Sequence, residues 1–157
     1  MAKKRKGLKE ILIGKVAESM VITIDTPPSI AKIKKELNNS KVAFITTAGV
    51  HLKSDNPFNT KGDHSFRMIP RDANFQDLTI SHDHYDTKEA LKDINCVFPL
   101  EILRDFAEEE IIGSVAPRNF GLMGYIPEVD LLIKETAPEI ADYLVEDGVD
   151  IALISPG

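Results

Sequence analysis

The second half of the chain alternates amphipathic helix patterns with short apolar strand patterns, and this order restricts the possible folds more than any other feature. Apolar residues recur at helical spacing between residues 100 and 112 and again after Pro138. Strand-like runs follow at 114–117 and 149–155, and a β-branched apolar run, VAFITT at 42–47, precedes them. Because alternating helices and strands favour parallel pairing, the sequence predicts an α/β fold with a layered, mainly parallel sheet flanked by helices.

Glycine and proline set the expected bounds of the helices. Gly113 is expected to end the helix at 100–112, and Gly148 to end the helix that starts near Pro138. The Thr26-Pro27-Pro28 entrance predicts an earlier helix, which runs to about Leu37. Two further short strands are predicted, at 66–70 and 78–80.

The first 24 residues differ from the rest in charge. Five basic side chains fall between Lys3 and Lys9. Residues 10–157 carry the other 14 basic side chains and all 25 acidic ones. An acidic body repels phosphate, so no nucleic-acid partner is expected. Apolar residues at helical spacing from Leu8 to Met20 predict an amphipathic helix on the basic tail. We therefore expect a tail and helix at 1–24, followed by one α/β domain at 25–157.

Apolar run length and cysteine content bear on location. The apolar runs are too short to cross a bilayer, so no membrane association is expected. Cys96 is the single cysteine, which excludes an intrachain disulfide and favours the cytoplasm. Because Cys96 lies in the apolar stretch INCVF, it is predicted to be an inert core residue.

Four segments follow strand-like runs and are candidate site positions, because ligands of parallel α/β sheets bind beyond the carboxyl ends of the strands. They are Ala48-Gly49, Ser81-His82, Pro117 and Pro156-Gly157. Polar side chains in or near these segments are the substrate-pocket candidates: His51, Asp55, His82, His84 and Arg118. Imidazoles can act as acid, base or orienting groups beside a small anionic substrate, and a guanidinium can hold a carboxylate. The alternative is a surface ion pair for Arg118 and a solvated loop position for His51 and Asp55.

The segment SHDHYD leaves two interpretations open. His82, His84 and Asp86 can converge on a metal ion if the loop turns, as in a metal-dependent hydrolase. Such a site is short of ligands, because Thr87 follows and no histidine occurs after His84. Alternatively, Asp86 caps the helix that begins at Thr87, with Glu89 completing a capping box.

Three long stretches carry a resemblance that single motifs do not. They are TTAGVHLKSDNPFNTKGDHSFRMIP (46–70), SHDHYDTKEALKDINCVFPLEILRDFAEEEIIGSVAPRNFGLMGY (81–125) and TAPEIADYLVEDGVDIALISPG (136–157). Together they resemble the selenoprotein B subunits of the glycine/sarcosine/betaine/D-proline reductases, most closely the D-proline reductase type. The resemblance runs from about Asp25 onward without large gaps.

The resemblance implies a function that no single motif indicates. It implies reductive cleavage of the Cα–N bond of a small amino acid by a selenolate, in the cytoplasm of an amino-acid-fermenting anaerobe. It also implies a partner subunit whose pyruvoyl group holds the amino group as an imine, a dithiol electron carrier, and an oligomeric assembly.

The position of the nucleophile gives the resemblance a further consequence. In such proteins the selenocysteine follows the strand that corresponds to 150–154, and this chain stops at Gly157. The resemblance therefore implies a subunit truncated at its selenocysteine, lacking C-terminal elements, without a catalytic residue and inactive alone. One alternative is a non-catalytic protein of the same fold that binds small carboxylates or regulates a partner. The metal-dependent hydrolase using His82, His84 and Asp86 is the third.

Overall fold

Strand β1 (Lys41–Thr46) is the central strand of a five-stranded mixed sheet in the computed structural model. The structure describes Ser29 and residues 31–156. Residues from Ile33 onward form one unit. The basic tail and helix predicted at 1–24 lie outside the described residues.

The other elements follow in chain order. The strands are β2 (Val50–Leu52), β3 (Phe66–Pro70), β4 (Leu78–Ile80), β5 (Ser114–Val115), β6 (Arg118–Leu122) and β7 (Ile151–Ser155). The helices are α1 (Lys88–Lys92), α2 (Leu100–Glu108), α3 (Val129–Leu131) and α4 (Ala137–Glu146), and a π-helical segment, Leu132–Thr136, joins the last two. Short 3₁₀ turns occupy Leu37–Asn39, Phe75–Asp77 and Ile94–Cys96.

Strand β1 pairs in parallel along both of its edges. Strand β7 runs along one edge, in a register that extends from Val42–Ile151 to Thr46–Ser155. Strands β5 and β6 follow one another along the other edge, and β3 is antiparallel to β6. Strands β2 and β4 form a separate antiparallel pair. The predicted α/β fold with a mainly parallel sheet and flanking helices is confirmed.

Alternate side chains of β1 enter two apolar clusters, as the two-residue period of a strand requires. Phe44 packs edge-on against Phe98, with ring centroids 5.5 Å apart, in the cluster to which α2 contributes. Ile45 packs in the second cluster with Phe120 of β6 and Ile140 of α4. None of the described helices is long and apolar enough to cross a bilayer.

The end of α4 forms as the sequence predicts. Gly148 takes a positive φ of 66°, a conformation that glycine adopts without steric cost. The amide of Gly148 donates to the carbonyl of Val145 at 3.0 Å, and the amide of Val149 donates to that of Leu144 at 2.9 Å. This pair of bonds is the Schellman arrangement, and it directs the chain from α4 into β7.

Two helix predictions need correction. Helix α2 ends at Glu108, four residues before the predicted end at 112, because Glu110 takes a φ of 57° and turns the chain. The helix predicted to reach Leu37 is absent at 33–36. Ile33 and Leu37 do not pack in a core there, since they are 63% and 50% exposed.

Strands β2 and β6 were not predicted, and β6 owes its place to a buried polar residue. The Oδ1 atom of Asn119 accepts the amide of Phe44 at 2.9 Å, and its Nδ2 donates to the carbonyl of Ala116 at 3.2 Å. The side chain thereby forms hydrogen bonds with one backbone amide and one backbone carbonyl at the junction of β5 and β6, beside β1. A buried Asn with both ends bonded is stable inside a sheet, but it breaks the apolar pattern by which a strand is predicted.

Candidate functional site

The carboxyl ends of β1, β6 and β7 meet at one edge of the sheet. The amide of Thr47 donates to the carbonyl of Ser155 at 3.1 Å, and the amide of Gly49 donates to that of Leu122 at 2.9 Å. The end of β4 joins the same edge, because the amide of Ser81 donates to the carbonyl of Gly49 at 2.9 Å. Of the four predicted segments, those after β1, β4 and β7 therefore adjoin one another.

Pro117 and Arg118 lie elsewhere. Pro117 is between β5 and β6, and Arg118 begins β6, at the end of that strand remote from the site edge. The guanidinium donates to the carboxylate of Asp147 at 2.8 and 2.6 Å and to that of Glu146 at 2.8 Å, and it stacks 4.5 Å above the ring of Tyr143. The bonds to Asp147 raise the pKa of Arg118 and lower the pKa of Asp147. The structure therefore uses Arg118 to fasten the end of α4 and does not bring it to the other candidates.

His51 and Asp55 stabilise the turn after β2. His51 is 3% exposed, and its Nδ1–H donates to the carbonyl of Leu52 at 2.7 Å, so Nε2 accepts the hydroxyl of Ser81 at 2.8 Å. The carboxylate of Asp55 accepts the amide of Leu52 at 3.1 Å. His51 thus contacts the residue that precedes His82, and both of its ring nitrogens are engaged.

The His82 ring is fixed by its own segment. Its Nδ1 accepts the amide of His84 at 3.0 Å, and its ring centroid lies 4.6 Å from that of Tyr85. The Tyr85 hydroxyl donates to the carbonyl of Ala48 at 2.9 Å, which joins the segment to the end of β1. Burial lowers the pKa of His82, and the charge on His84 lowers it further, against the opposite effect of Asp83. His82 is therefore neutral near pH 7.

The Nε2 atom of His82 is buried and has no hydrogen-bond partner among the described residues. Gly124 lies directly against it: a Cβ atom at position 124 would be 2.7 Å from Nε2 and 2.9 Å from the carbonyl oxygen of Thr47. Glycine is thus required at 124 for the ring to keep its place. The only signal for this in the sequence is the pair of glycines, Gly121 and Gly124, in an otherwise apolar segment.

The other residues of the SHDHYD segment have separate roles. His84 is exposed. The Oδ1 atom of Asp86 accepts the amide of Lys88 at 3.1 Å, as the capping interpretation predicts, whereas Glu89 pairs with Lys92 at 2.6 Å and does not complete a capping box. Within the described part of the chain, no three His, Cys, Asp or Glu side chains form a group that could hold a metal ion. The arrangement of a metal-dependent hydrolase is not formed by these residues.

Cys96 is exposed, so its prediction as a core residue is wrong. It ends the 3₁₀ turn Ile94–Cys96. Ile94, at the start of that turn, is 2% exposed, and Phe98, two residues after the turn, is 1% exposed. The apolar character of the stretch therefore reflects Ile94 and Phe98 and not the cysteine.

The family model for glycine/sarcosine/betaine reductase selenoprotein B matches residues 10–156. The chain belongs to this family. The match confirms the resemblance carried by the three long stretches, and it covers every strand and helix of the described residues.

Individual relatives are components of amino-acid reductases. The D-proline reductase subunit gamma of Acetoanaerobium sticklandii is 42% identical over 151 residues, which are 96% of this chain and 62% of the relative. The sarcosine reductase complex component B subunit beta of Peptoclostridium acidaminophilum is 29% identical over 127 residues, 77% of this chain and 29% of the relative. The glycine reductase complex component B subunit gamma of the same organism is 27% identical over 169 residues, 99% of this chain and 38% of the relative. The chain thus spans less than two thirds of each of these relatives, and no solved structure matches it.

Proposed function

We propose that this chain is part of an amino-acid reductase B subunit, which acts in the cytoplasm in the reductive cleavage of a C–N bond. The observation that carries the proposal is the family match over residues 10–156. Among D-proline, glycine, sarcosine and betaine, the 42% identity to a D-proline reductase subunit favours D-proline as the substrate.

The reacting nucleophile is proposed to lie beyond residue 157. The sequence has one cysteine, Cys96, which is exposed at the end of a 3₁₀ turn. A selenocysteine shortly after Gly157 would enter the edge at which β1, β6 and β7 end, because Thr47 holds the carbonyl of Ser155 there. A selenolate supplies an anion that is strongly nucleophilic and readily oxidised at neutral pH. The described residues would supply the fixed strand ends from which that group is presented.

We further propose that the chain is truncated at this position and inactive alone. Strand β7 supports this, because its residues IALI are typical of a strand that is covered on both faces. Instead Leu153 is 41% exposed and Ile154 is 70% exposed. Natural edge strands are usually protected by charged residues, by proline or by being short. Strand β7 contains neither a charged residue nor a proline. The additional length of the relatives supports the same conclusion.

The proposed partners are a pyruvoyl-bearing subunit and a dithiol electron carrier. The relatives bear the names of subunits and complex components. The described surface has apolar side chains suited to an interface, since Val145 of α4 and Ile133 before it are 79% and 57% exposed. Exposed apolar side chains of this kind support an oligomeric assembly.

A second function has one observation in its favour. The buried Nε2–H group of His82 is a hydrogen-bond donor at the edge of the sheet, and it needs no nucleophile to hold a small carboxylate. The alternative is therefore a non-catalytic protein that binds small carboxylates.

The deciding experiment is an assay of the full-length subunit assembled with its pyruvoyl-bearing partner, in which D-proline-dependent oxidation of a dithiol is measured. We expect turnover with the full-length subunit and none when the 157-residue chain replaces it. Turnover with neither would refute the reductase, and binding of D-proline by the chain would then support the second function. Equal turnover with both would refute the truncation.

A further inference from the structure

The Nε2–H group of His82 is the strongest unexplained feature among the described residues. Its nitrogen is buried and unpaired, whereas buried polar groups of native proteins nearly always have a partner. An unpaired donor costs free energy on folding. A group with that cost is commonly one whose partner is a ligand or another part of the assembly.

The hydrogen bonds of the ring show which nitrogen carries the proton. Nδ1 accepts the amide of His84 at 3.0 Å, so Nδ1 has no hydrogen. A neutral imidazole then carries its single proton on Nε2. Burial and the neighbouring charge of His84 lower the pKa of His82, which maintains the neutral form. Nε2 is therefore a donor with no acceptor.

The position of Nε2 connects it to the end of β7. A Cβ atom at Gly124 would lie within 3 Å of both Nε2 and the carbonyl oxygen of Thr47, and the amide of Thr47 bonds to Ser155. Gly124 itself is exposed, so the donor lies one residue below the surface. The ring cannot easily turn away, because Tyr85 packs on it and is itself bonded to Ala48.

We infer that the Nε2–H group of His82 is a hydrogen-bond donor for an anion held where β1, β6 and β7 end. The inference rests on the proposed function, which supplies two such anions: the carboxylate of the amino-acid substrate and the ionised nucleophile that follows β7. A hydrogen bond to an ionised acceptor is about twice as strong as one between neutral groups. His82 is thus a positioning residue, and because Gly124 has no side chain, only its backbone separates Nε2 from the surface.

The first test uses the 157-residue chain with ¹⁵N-labelled histidine, observed by NMR. D-proline and D-prolinamide are matched probes, because the amide lacks the carboxylate. If the carboxylate is the anion, D-proline shifts the Nε2–H signal of His82 and D-prolinamide does not. The second test compares full-length proteins with cysteine or alanine at the selenocysteine position. If the nucleophile is the anion, the signal changes as the cysteine ionises and is constant in the alanine variant. No shift in either test overturns the inference.

Two substitutions separate the donor from the fold. His82→Asn keeps an acceptor near the Nδ1 position for the amide of His84 but places nothing at Nε2, whereas His82→Gln places an N–H donor near Nε2. We expect His82→Asn to weaken D-proline binding, or to raise KM in the assembled reductase, by about tenfold or more, and His82→Gln to restore most of the loss. Substitution of His64 by Asn is the matched control, because the His64 ring lies beside Glu128, and it should leave affinity unchanged. Equal effects of Asn and Gln at position 82 would indicate a purely structural role.

Failure of this inference can be told apart from failure of the proposed function. If the assembled protein turns over D-proline and His82→Asn leaves both KM and kcat unchanged, the inference is wrong and the reductase stands. If no turnover is found but D-proline shifts the Nε2–H signal in the chain alone, the reductase is wrong and the donor stands.

Discussion

The amide of Thr47 donates a 3.1 Å hydrogen bond to the carbonyl of Ser155, which fastens the end of β7 to the end of β1. On this side β7 is paired along its whole length. On its other side no strand pairs with it among the described residues, and its side chains Leu153 and Ile154 are exposed. The strand is therefore firmly placed and yet uncovered.

The uncovered strand predicts self-association of the chain. Ile154→Lys places a charge on an apolar, 70% exposed position of β7, so it should reduce concentration-dependent association in sedimentation velocity without lowering the free energy of unfolding. Ile102→Lys is the matched control, because Ile102 is 42% exposed but lies on α2. It should leave the association unchanged. A wild-type chain that stays monomeric at high concentration would count against the proposed truncation, in which further elements cover β7.

The packing of β6 against β2 predicts a large cost for one glycine substitution. A Cβ atom at Gly121 would overlap the backbone carbonyl of Val50, so Gly121→Ala should destabilise the chain by about 3 kcal/mol or more. Gly148→Ala is the control. Its Cβ would meet nothing closer than 3.9 Å, and the positive φ alone costs about 1–2 kcal/mol. Urea denaturation measures the free energy of unfolding of both variants. If Gly121→Ala costs no more than Gly148→Ala, β6 does not pack against Val50 in this way.

The buried Asn119 predicts a loss of stability when its side chain is removed. Asn119→Ala leaves the amide of Phe44 without its acceptor, and a buried backbone donor left unpaired costs about 1–3 kcal/mol. Asn56→Ala, at an exposed position, should change the free energy of unfolding by less than about 0.5 kcal/mol. If both variants unfold at the wild-type urea concentration, the side chain does not fill the gap between β5 and β6.

These residues also show what the sequence could and could not predict. Strands β1 and β7 and helix α4 are predictable because their patterns are local: apolar β-branched runs, an amphipathic face, and Gly148 after the helix. Strand β6 is not, because Asn is typical of turns and its partners here are known only from the fold: Phe44 lies on β1, and Ala116 lies between β5 and β6.

The sequence likewise predicts only some of the residues at the candidate site. The rule that ligands lie beyond the ends of parallel strands predicts that Pro156 lies beside the ends of β1 and β6, as observed. Ser81-His82 lies there too, although β4 belongs to the separate antiparallel pair. The rule fails for Arg118, because the strand predicted at 114–117 ends at Val115 and Arg118 begins β6. The contact between Gly124 and His82 joins two loops that are distant in sequence, and no local pattern predicts it.

His82 predicts a specific dependence of stability on pH. Burial and then the charge of His84 lower the pKa of His82 below 6.5, so the folded state binds this proton more weakly than the unfolded state. The contribution of His82 to stability is therefore complete above pH 6.5 and is lost as the pH falls through the lower, folded pKa. Relative to His82→Gln, the wild type should lose free energy of unfolding between about pH 7.5 and pH 5. Denaturant titrations at both pH values measure this, and a constant difference would contradict a lowered pKa.

The proposed reductase function requires a nucleophile that follows Gly157. The most direct measurement is the intact mass of the protein from its native host, together with the sequence of the peptide that spans Gly157. We expect a protein heavier than the 17.4 kDa of this chain, with selenocysteine or cysteine shortly after Gly157. A native protein of 17.4 kDa whose last residue is Gly157 would contradict it.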